Sequence, residues 1–403
     1  MLSQILERKG SRVHKSYFEL NSSCNRRKID SLPWMQASSV SLLIFCPITG
    51  GLGILFMKSA IFEKAGLMTV EEVAKPTLQA DDDVIIKVVR ACVCGSDLWS
   101  YANGDEKAAH SENSGHEALG IVEEVGSAIT TVQPGDFVIV PFTHGCGECD
   151  ACRAGFDGTC DNHPGYTNWS SGFQSEYVRF HYANWALIKI PGQPSDYSEG
   201  MMKSLLTLAD VMPTGYHAAR VADVKRGDKV VVIGDGAVGQ CAVIAAKMRG
   251  ASQIVLMSRH EDRQQMALAS GATAVVAERG EEGIAKVRQI LGGGADAALE
   301  CVGTEAAIEQ ALGVIHNGGR VGFVGVPHYN NRPLGSTFAQ NITVGGGSAS
   351  VTTYDKQLLL KAVLDGDINP GRVFTNTYRL DDINQAYKDM QDRKAIKSMI
   401  VMD

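Results

Sequence analysis

KVVVIGDGAVGQCAVIAAKMRGASQIVLMSRH, residues 229 to 260, contains a strand, a glycine turn, a helix and a second strand. Lys229 to Ile233 is a β-branched run with no polar break, the pattern of a parallel strand buried on both faces. Gly234, Gly236 and Gly239 follow at G-x-G-x-x-G spacing. The first glycine permits a tight turn, the second lets backbone approach a pyrophosphate, and the third lets helix pack on strand. Val238, Cys241, Ala245 and Met248 recur at helical spacing, and Gly250 closes the helix before the strand Ile254 to Met257. A glycine motif alone is weak evidence. In this setting it predicts a dinucleotide-binding unit with Ala237 and Val238 inside the phosphate turn.

The end of the second strand decides which dinucleotide is bound. NAD sites place an Asp or Glu about 20 residues after the glycines, where a carboxylate accepts both ribose hydrogen bonds and repels a 2′-phosphate. Here that position is Ser258, followed by Arg259 and His260. A hydroxyl and a guanidinium suit a phosphate dianion, so the residues point to NADP in preference to NAD.

At 403 residues the chain has room for two cores. Its 44% apolar and 21% charged content is that of a soluble globular protein. A formal net charge of −7 with no basic run argues against a nucleic-acid partner. Four of the ten cysteines fall between positions 146 and 160, which points to metal rather than to a disulfide framework. Residues 1 to 56 differ from the rest. They are polar and rich in Arg and Lys up to Asp30, then apolar from Ser41 to Phe56 but broken by Pro47 and three glycines. That run is short for a membrane span of about 20 residues and lacks a clear cleavage site for an export signal. The expectation is an N-terminal extension that is disordered or reflects an early start codon, no membrane association, and a cytoplasmic location.

From Met57 onward, Val84 to Arg90 (VIIKVVR) reads as a strand leading into Cys94-Gly95-Ser96-Asp97, and Gly115-His116-Glu117 follows. A thiolate, an imidazole and a nearby carboxylate are zinc-ligand chemistry, although taken singly Cys94 reads as a small buried hydrophobe and His116 as a satisfied histidine. Cys146, Cys149, Cys152 and Cys160 form C-x2-C-x2-C-x7-C. Four thiolates on one short segment close a tetrahedron without a vacant position, the pattern of a structural zinc site, and the last gap is too long for a ferredoxin cluster. His144 and His163 read as bystanders. Downstream, helix 261–270, strand Ala274 to Ala277, a helix from about Glu281 to Leu291, and strands Ala295 to Cys301 and Arg320 to Gly325 continue the alternation of a doubly wound sheet. Ligands lie outside the carboxyl ends of such strands, which puts Gly303, Val324, Gly325 and Val326 beside the cofactor. Thr214, opening a helix that crosses between domains, is grouped with them.

In order, C-G-S-D, G-H-E, V-x-x-V-G-S, P-G-D-F-V, the four-cysteine lobe, D-V-M-P-T-G-Y-H at 210 to 217 and G-D-G-A-V-G resemble the zinc-dependent medium-chain alcohol dehydrogenases over Met57 to Asp403. The resemblance implies an α/β fold: a GroES-like β-rich catalytic domain at 57–210, completed by 348–403, and a Rossmann domain with a doubly wound parallel sheet at 211–347. It implies a third catalytic-zinc ligand at Asp210, where many members carry Cys; an Asp there resembles the NADP-linked bacterial secondary alcohol dehydrogenases. With it come Asp97 orienting His116, Glu117 near the metal, Ser96 starting a proton relay, two zinc ions per chain, and a homodimer or homotetramer. Lys397 resembles the family's basic residue that reaches the pyrophosphate. Where many members carry a relay His, five residues after the first zinc Cys, this chain has Trp99, which cannot pass a proton. The implied activity is reversible hydride transfer between an alcohol and NADP(H), giving an aldehyde or ketone. Polyol, sugar or amino-alcohol oxidation shares the short motifs, and a non-catalytic NADPH-binding zinc protein is the reading outside enzymes.

Overall fold

Alternation of side chains with period two builds the first half of the molecule. The computed structural model describes residues 55–104, 114–162, 172–329, 334–354 and 358–402. His163 and residues 1–54 of the expected extension lie outside these. Phe56, counted in that extension, already opens β1 (Phe56–Lys64), which pairs antiparallel with β2 (Leu67–Ala74). β3 (Val84–Val93), β4 (Ala118–Val125), β5 (Phe137–Val140), β6 (Tyr177–Phe180) and β7 (Ile188–Ile190) follow. On β5, Val138 and Val140 pack inward with Val84, Ile86, Phe173 and Phe180. Phe137 and Ile139 face the other way, onto Leu205 and Leu206 of helix Glu199–Thr207. One sheet therefore has a core on each side.

The second half is a parallel sheet of β8 (Lys229–Ile233), β9 (Gln253–Met257), β10 (Ala274–Val276), β11 (Ala295–Glu300), β12 (Ile315–Phe323) and β13 (Thr343–Gly346). Its order, β10-β9-β8-β11-β12-β13, puts the topological switch between β8 and β11. Val230 and Val232 pack into one core and Val231 and Ile233 into another, so the unbroken apolar run of β8 is covered on both faces. Each such side chain contributes about 1.5–3 kcal/mol by leaving water. The chain then returns: β14 (Phe374–Arg379) and β15 (Lys397–Val401) complete the first sheet in the order β14-β15-β3-β4-β5-β7, with β6 also on β3. Among the described residues no helix is long and apolar enough to cross a membrane.

Helices Glu199–Thr207 and Val211–Val221 join the halves, because one apolar cluster runs from Leu119 and Phe137 through Leu205 and Ala218 to Val230 and Ile254. Asp210 sits between these two helices, at the junction.

Candidate active site

Three separate pieces of chain converge at that junction. Cys94 follows the end of β3, His116 and Glu117 precede β4, and Asp210 opens helix Val211–Val221. Their ligand atoms all lie within 4.8 Å of one another. Cys94 Sγ is 3.4 Å from Asp210 Oδ2, and His116 Nε2 is 3.5 Å from the same oxygen. Asp97 orients the group in two ways: Oδ2 accepts from the Cys94 backbone N–H at 2.8 Å, and Oδ1 stands 3.2 Å from His116 Nδ1. His116 thereby turns Nε2 towards Cys94 and Asp210. Burial disfavours its imidazolium, but the Asp97 and Asp210 carboxylates outweigh that and hold its pKa well above the ordinary value. Burial likewise opposes the Asp210 charge, and the His116 hydrogen bond overcomes it, keeping that carboxyl below its usual range.

The four cysteines of the lobe form the second convergence, with their sulfurs also within 4.8 Å of one another. Backbone N–H groups of Glu148 and Cys149 donate to Cys146 Sγ, those of Cys152 and Asp161 to Cys149 Sγ, and that of Cys146 to Cys160 Sγ, at 3.3 to 3.4 Å. Burial opposes ionisation of Cys146, yet these donors bring its thiol down to about 7. His144 stays outside the cluster, its Nδ1 bonded to the His181 carbonyl at 2.9 Å.

The glycine turn has the shape its spacing foretells. Gly234 has φ +108°, and a Cβ there would meet Val302 at 2.7 Å. A Cβ on Gly239 would stand 2.0 Å from the Gly234 carbonyl, so helix Ala237–Met248 lies hard against the turn. Beside Gly236 there is only open space. That opening faces a helix N-terminus with no acidic residue in its first turn, a place suited to a pyrophosphate. Val302 and Val326, exposed at the ends of β11 and β12, flank the same crevice. Gly303 and Gly325 pack against one another there, with a Cβ on Gly325 falling 2.1 Å from Gly303 N.

Two family models match the chain: the alcohol dehydrogenase GroES-like domain over residues 80–192, and the zinc-binding dehydrogenase domain over 237–363. An uncharacterised zinc-type alcohol dehydrogenase-like protein of Bacillus subtilis is 31% identical over 373 residues, covering 84% of this chain and 97% of the relative. Among solved structures, the alcohol dehydrogenase of Thermus sp. ATN1 is 30% identical with a TM-score of 0.75, covering 86% of this chain and 100% of that one. Zinc-dependent alcohol dehydrogenase 2 of a Streptococcus matches with a TM-score of 0.77 and 30% identity, covering 86% and 99%. This chain belongs to the zinc-dependent medium-chain alcohol dehydrogenases.

Membership of that family fixes the class, a zinc-binding oxidoreductase that works with a nicotinamide cofactor, and the structure then redraws several residue assignments. Thr214, grouped with the cofactor by sequence, donates its hydroxyl to Asp210 Oδ1 at 2.7 Å and so steadies the carboxylate. Lys397, expected at the pyrophosphate, is 1% exposed and donates to Glu117 Oε1 at 2.6 Å and Val93 O at 3.3 Å. The pairing of β15 with β3 puts Ser398 opposite Val93, so Lys397 is delivered to the start of the Cys94 loop, beside Glu117. Ser258 is buried, and its hydroxyl is spent on Asp235 Oδ2 at 2.6 Å. A carboxylate therefore does stand at the strand end, supplied by the glycine turn. Ile233 is in register with Met257, which brings the residues following each strand side by side. Arg259 is exposed. Trp99 stacks on His328, which follows β12, with centroids 3.6 Å apart and planes at 24°. Asp235, Arg263 and His328 are the residues that motif reading missed. Only Asp235, an acid inside the glycine turn, carried a local signal.

Proposed function

We propose that this chain is an NADP(H)-linked alcohol dehydrogenase, with Cys94, His116 and Asp210 holding a catalytic zinc and Cys146, Cys149, Cys152 and Cys160 a structural one. The observation that carries the reading is the convergence of a thiol, an imidazole and a carboxylate at the domain junction, a donor set that suits zinc. Lys397 holds Glu117 Oε1, and in this reading Cys94, His116 and Asp210 are three protein ligands with a position for substrate, whereas the lobe offers four sulfurs and no vacancy. When bound, zinc is the Lewis acid that lowers the pKa of a substrate hydroxyl, and the nicotinamide is the hydride carrier.

The chain's own side chains do the rest. Asp97 fixes the His116 ring and Thr214 fixes Asp210, so that neither ligand needs to reorganise. The Ser96 hydroxyl makes no capping bond to its helix Asp97–Asn103 and is available to take the proton of a substrate alcohol. Trp99 cannot pass that proton on, so the relay from Ser96 ends on the cofactor ribose or on water. The Trp99 ring stacks on His328, and that pair is read as narrowing the substrate cleft. Preference for NADP(H) is supported by Arg259, an exposed guanidinium beside the strand end. A cytoplasmic setting, where zinc thiolates remain reduced, and a homodimer or homotetramer belong to the same reading.

A panel of alcohols and carbonyls, followed by NADPH and NADH absorbance with and without a chelator, tests this. The expected result is turnover with NADP(H) that the chelator abolishes. Turnover that resists full removal of zinc, or none with any substrate, overturns it.

A further inference from the structure

Asp235 is the residue between the first two glycines of the turn, and it is not free to meet a ligand. Its Oδ2 accepts from Ser258 Oγ and from His260 Nδ1, both at 2.6 Å, and its Oδ1 accepts from Arg263 Nη1 at 3.0 Å. The donors come from the end of β9 and the first turn of helix Glu261–Ser270. The cluster is braced from both sides: Gln240 Nε2 donates to Arg263 O at 2.9 Å, and Gln264 Nε2 to Ser258 O at 2.6 Å. It lies at the carboxyl ends of β8 and β9, where a doubly wound sheet receives the adenosine ribose.

A carboxylate offers about four acceptor sites. Three are occupied here, so Asp235 cannot bridge two ribose hydroxyls as a strand-end acid does in an NAD site. Arg263 balances its charge. What remains for a ligand is the Nε2 edge of His260, since Nδ1 is taken, together with the exposed Arg259. Glu261 and Asp262, exposed in the first turn of the helix, are the acidic neighbours that the Arg259 charge must outweigh.

We propose that Asp235 is a positioning residue for a 2′-phosphate subsite, holding His260 so that its Nε2 and the Arg259 guanidinium receive the 2′-phosphate of NADP(H). The inference rests on the NADP reading and names how that preference is set. A carboxylate that merely stood near the phosphate would repel it, so its removal would tighten binding; removal of a carboxylate that positions the imidazole must weaken binding.

Binding of adenosine 2′,5′-bisphosphate and of 5′-AMP, measured by calorimetry on the zinc-loaded protein, separates the cases without any turnover. Wild type is expected to favour the bisphosphate. His260→Gln and Asp235→Asn are each expected to weaken the bisphosphate about tenfold, the value of one charge-assisted hydrogen bond, while leaving 5′-AMP within about twofold. The double variant should lose no more than His260→Gln alone, because the two act through one contact. Unchanged or tighter bisphosphate binding in Asp235→Asn, with wild type still favouring the bisphosphate, overturns the positioning role and leaves the NADP reading intact. Wild type favouring 5′-AMP overturns both.

Discussion

Gly236 and Gly239 are both required by the motif but for different physical reasons, and substitution separates them. Gly236 has extended backbone (φ −72°, ψ −175°) and nothing within 4 Å of an added Cβ, so alanine fits the polypeptide and obstructs only the space meant for the pyrophosphate. Gly239→Ala drives a Cβ into the Gly234 carbonyl, 2.0 Å away, and the backbone must move. Gly236→Ala is expected to cost less than about 1 kcal/mol in denaturant unfolding yet weaken nucleotide binding at least about tenfold. Gly239→Ala is expected to cost about 1–3 kcal/mol, as overpacking does, before any nucleotide is added. Equal unfolding midpoints for the two variants would show that the third glycine is not a packing device. The buried Lys397–Glu117 pair belongs to this scale too. Neither residue reaches solvent, so each depends on the other for its charge to be tolerated.

Helix Val211–Val221 carries Asp210 at one end and a buried polar cluster near the other. His217 Nδ1 is 2.6 Å from the Tyr354 hydroxyl, and Arg220 donates to that hydroxyl at 3.0 Å and to the Gly155 carbonyl at 3.3 Å. Burial, with Arg220 adding to it, lowers the His217 pKa to about 4. The fold therefore holds this imidazole neutral. An unfolded chain would take up a proton below about pH 6.5 that the folded one refuses until about 4. Stability from this group is complete above that upper value and is lost as pH falls through the window, amounting to about 2 kcal/mol by pH 5. In denaturant unfolding at pH 7.5 and pH 5, wild type should lose about 2 kcal/mol more than His217→Gln. Parallel losses would mean that His217 ionises as freely in the fold as outside it.

At the scale of the molecule, the cysteine lobe and the catalytic cluster are joined through that same helix. Residues of the lobe touch it directly, with Gly155 meeting Arg220, while Thr353 Oγ1 bonds Asp157 Oδ1. Two zinc ions per chain are expected, with different consequences on removal. The open site, with three protein ligands, should give up its metal to a mild chelator first, abolishing turnover with little change in the melting temperature. Stripping the four-cysteine site should follow more slowly and lower the melting temperature by several degrees, since metal binding there contributes to folding. Metal analysis, activity and melting curves along one chelator titration decide this. Loss of both metals and of stability in a single step would deny the division into an open and a closed site.

The sequence by itself determined what depends on residues close together in the chain. The glycine turn, the four-cysteine lobe and the unbroken apolar strand β8 each follow from spacing within one turn, one loop or one strand, where covalent geometry leaves few alternatives. Placement across the fold was another matter. Lys397 reads as a pyrophosphate ligand, and the sequence alone does not show that β15 pairs with β3, in a register set by apolar packing along the strands rather than by any motif, which carries the lysine to Glu117. Ser258 reads as the group at the ribose end until the parallel register of β8 and β9 brings Asp235 beside it. Chemistry at these points belongs to pairs of residues far apart in the chain, and only burying the apolar surface of both halves fixes which of them meet.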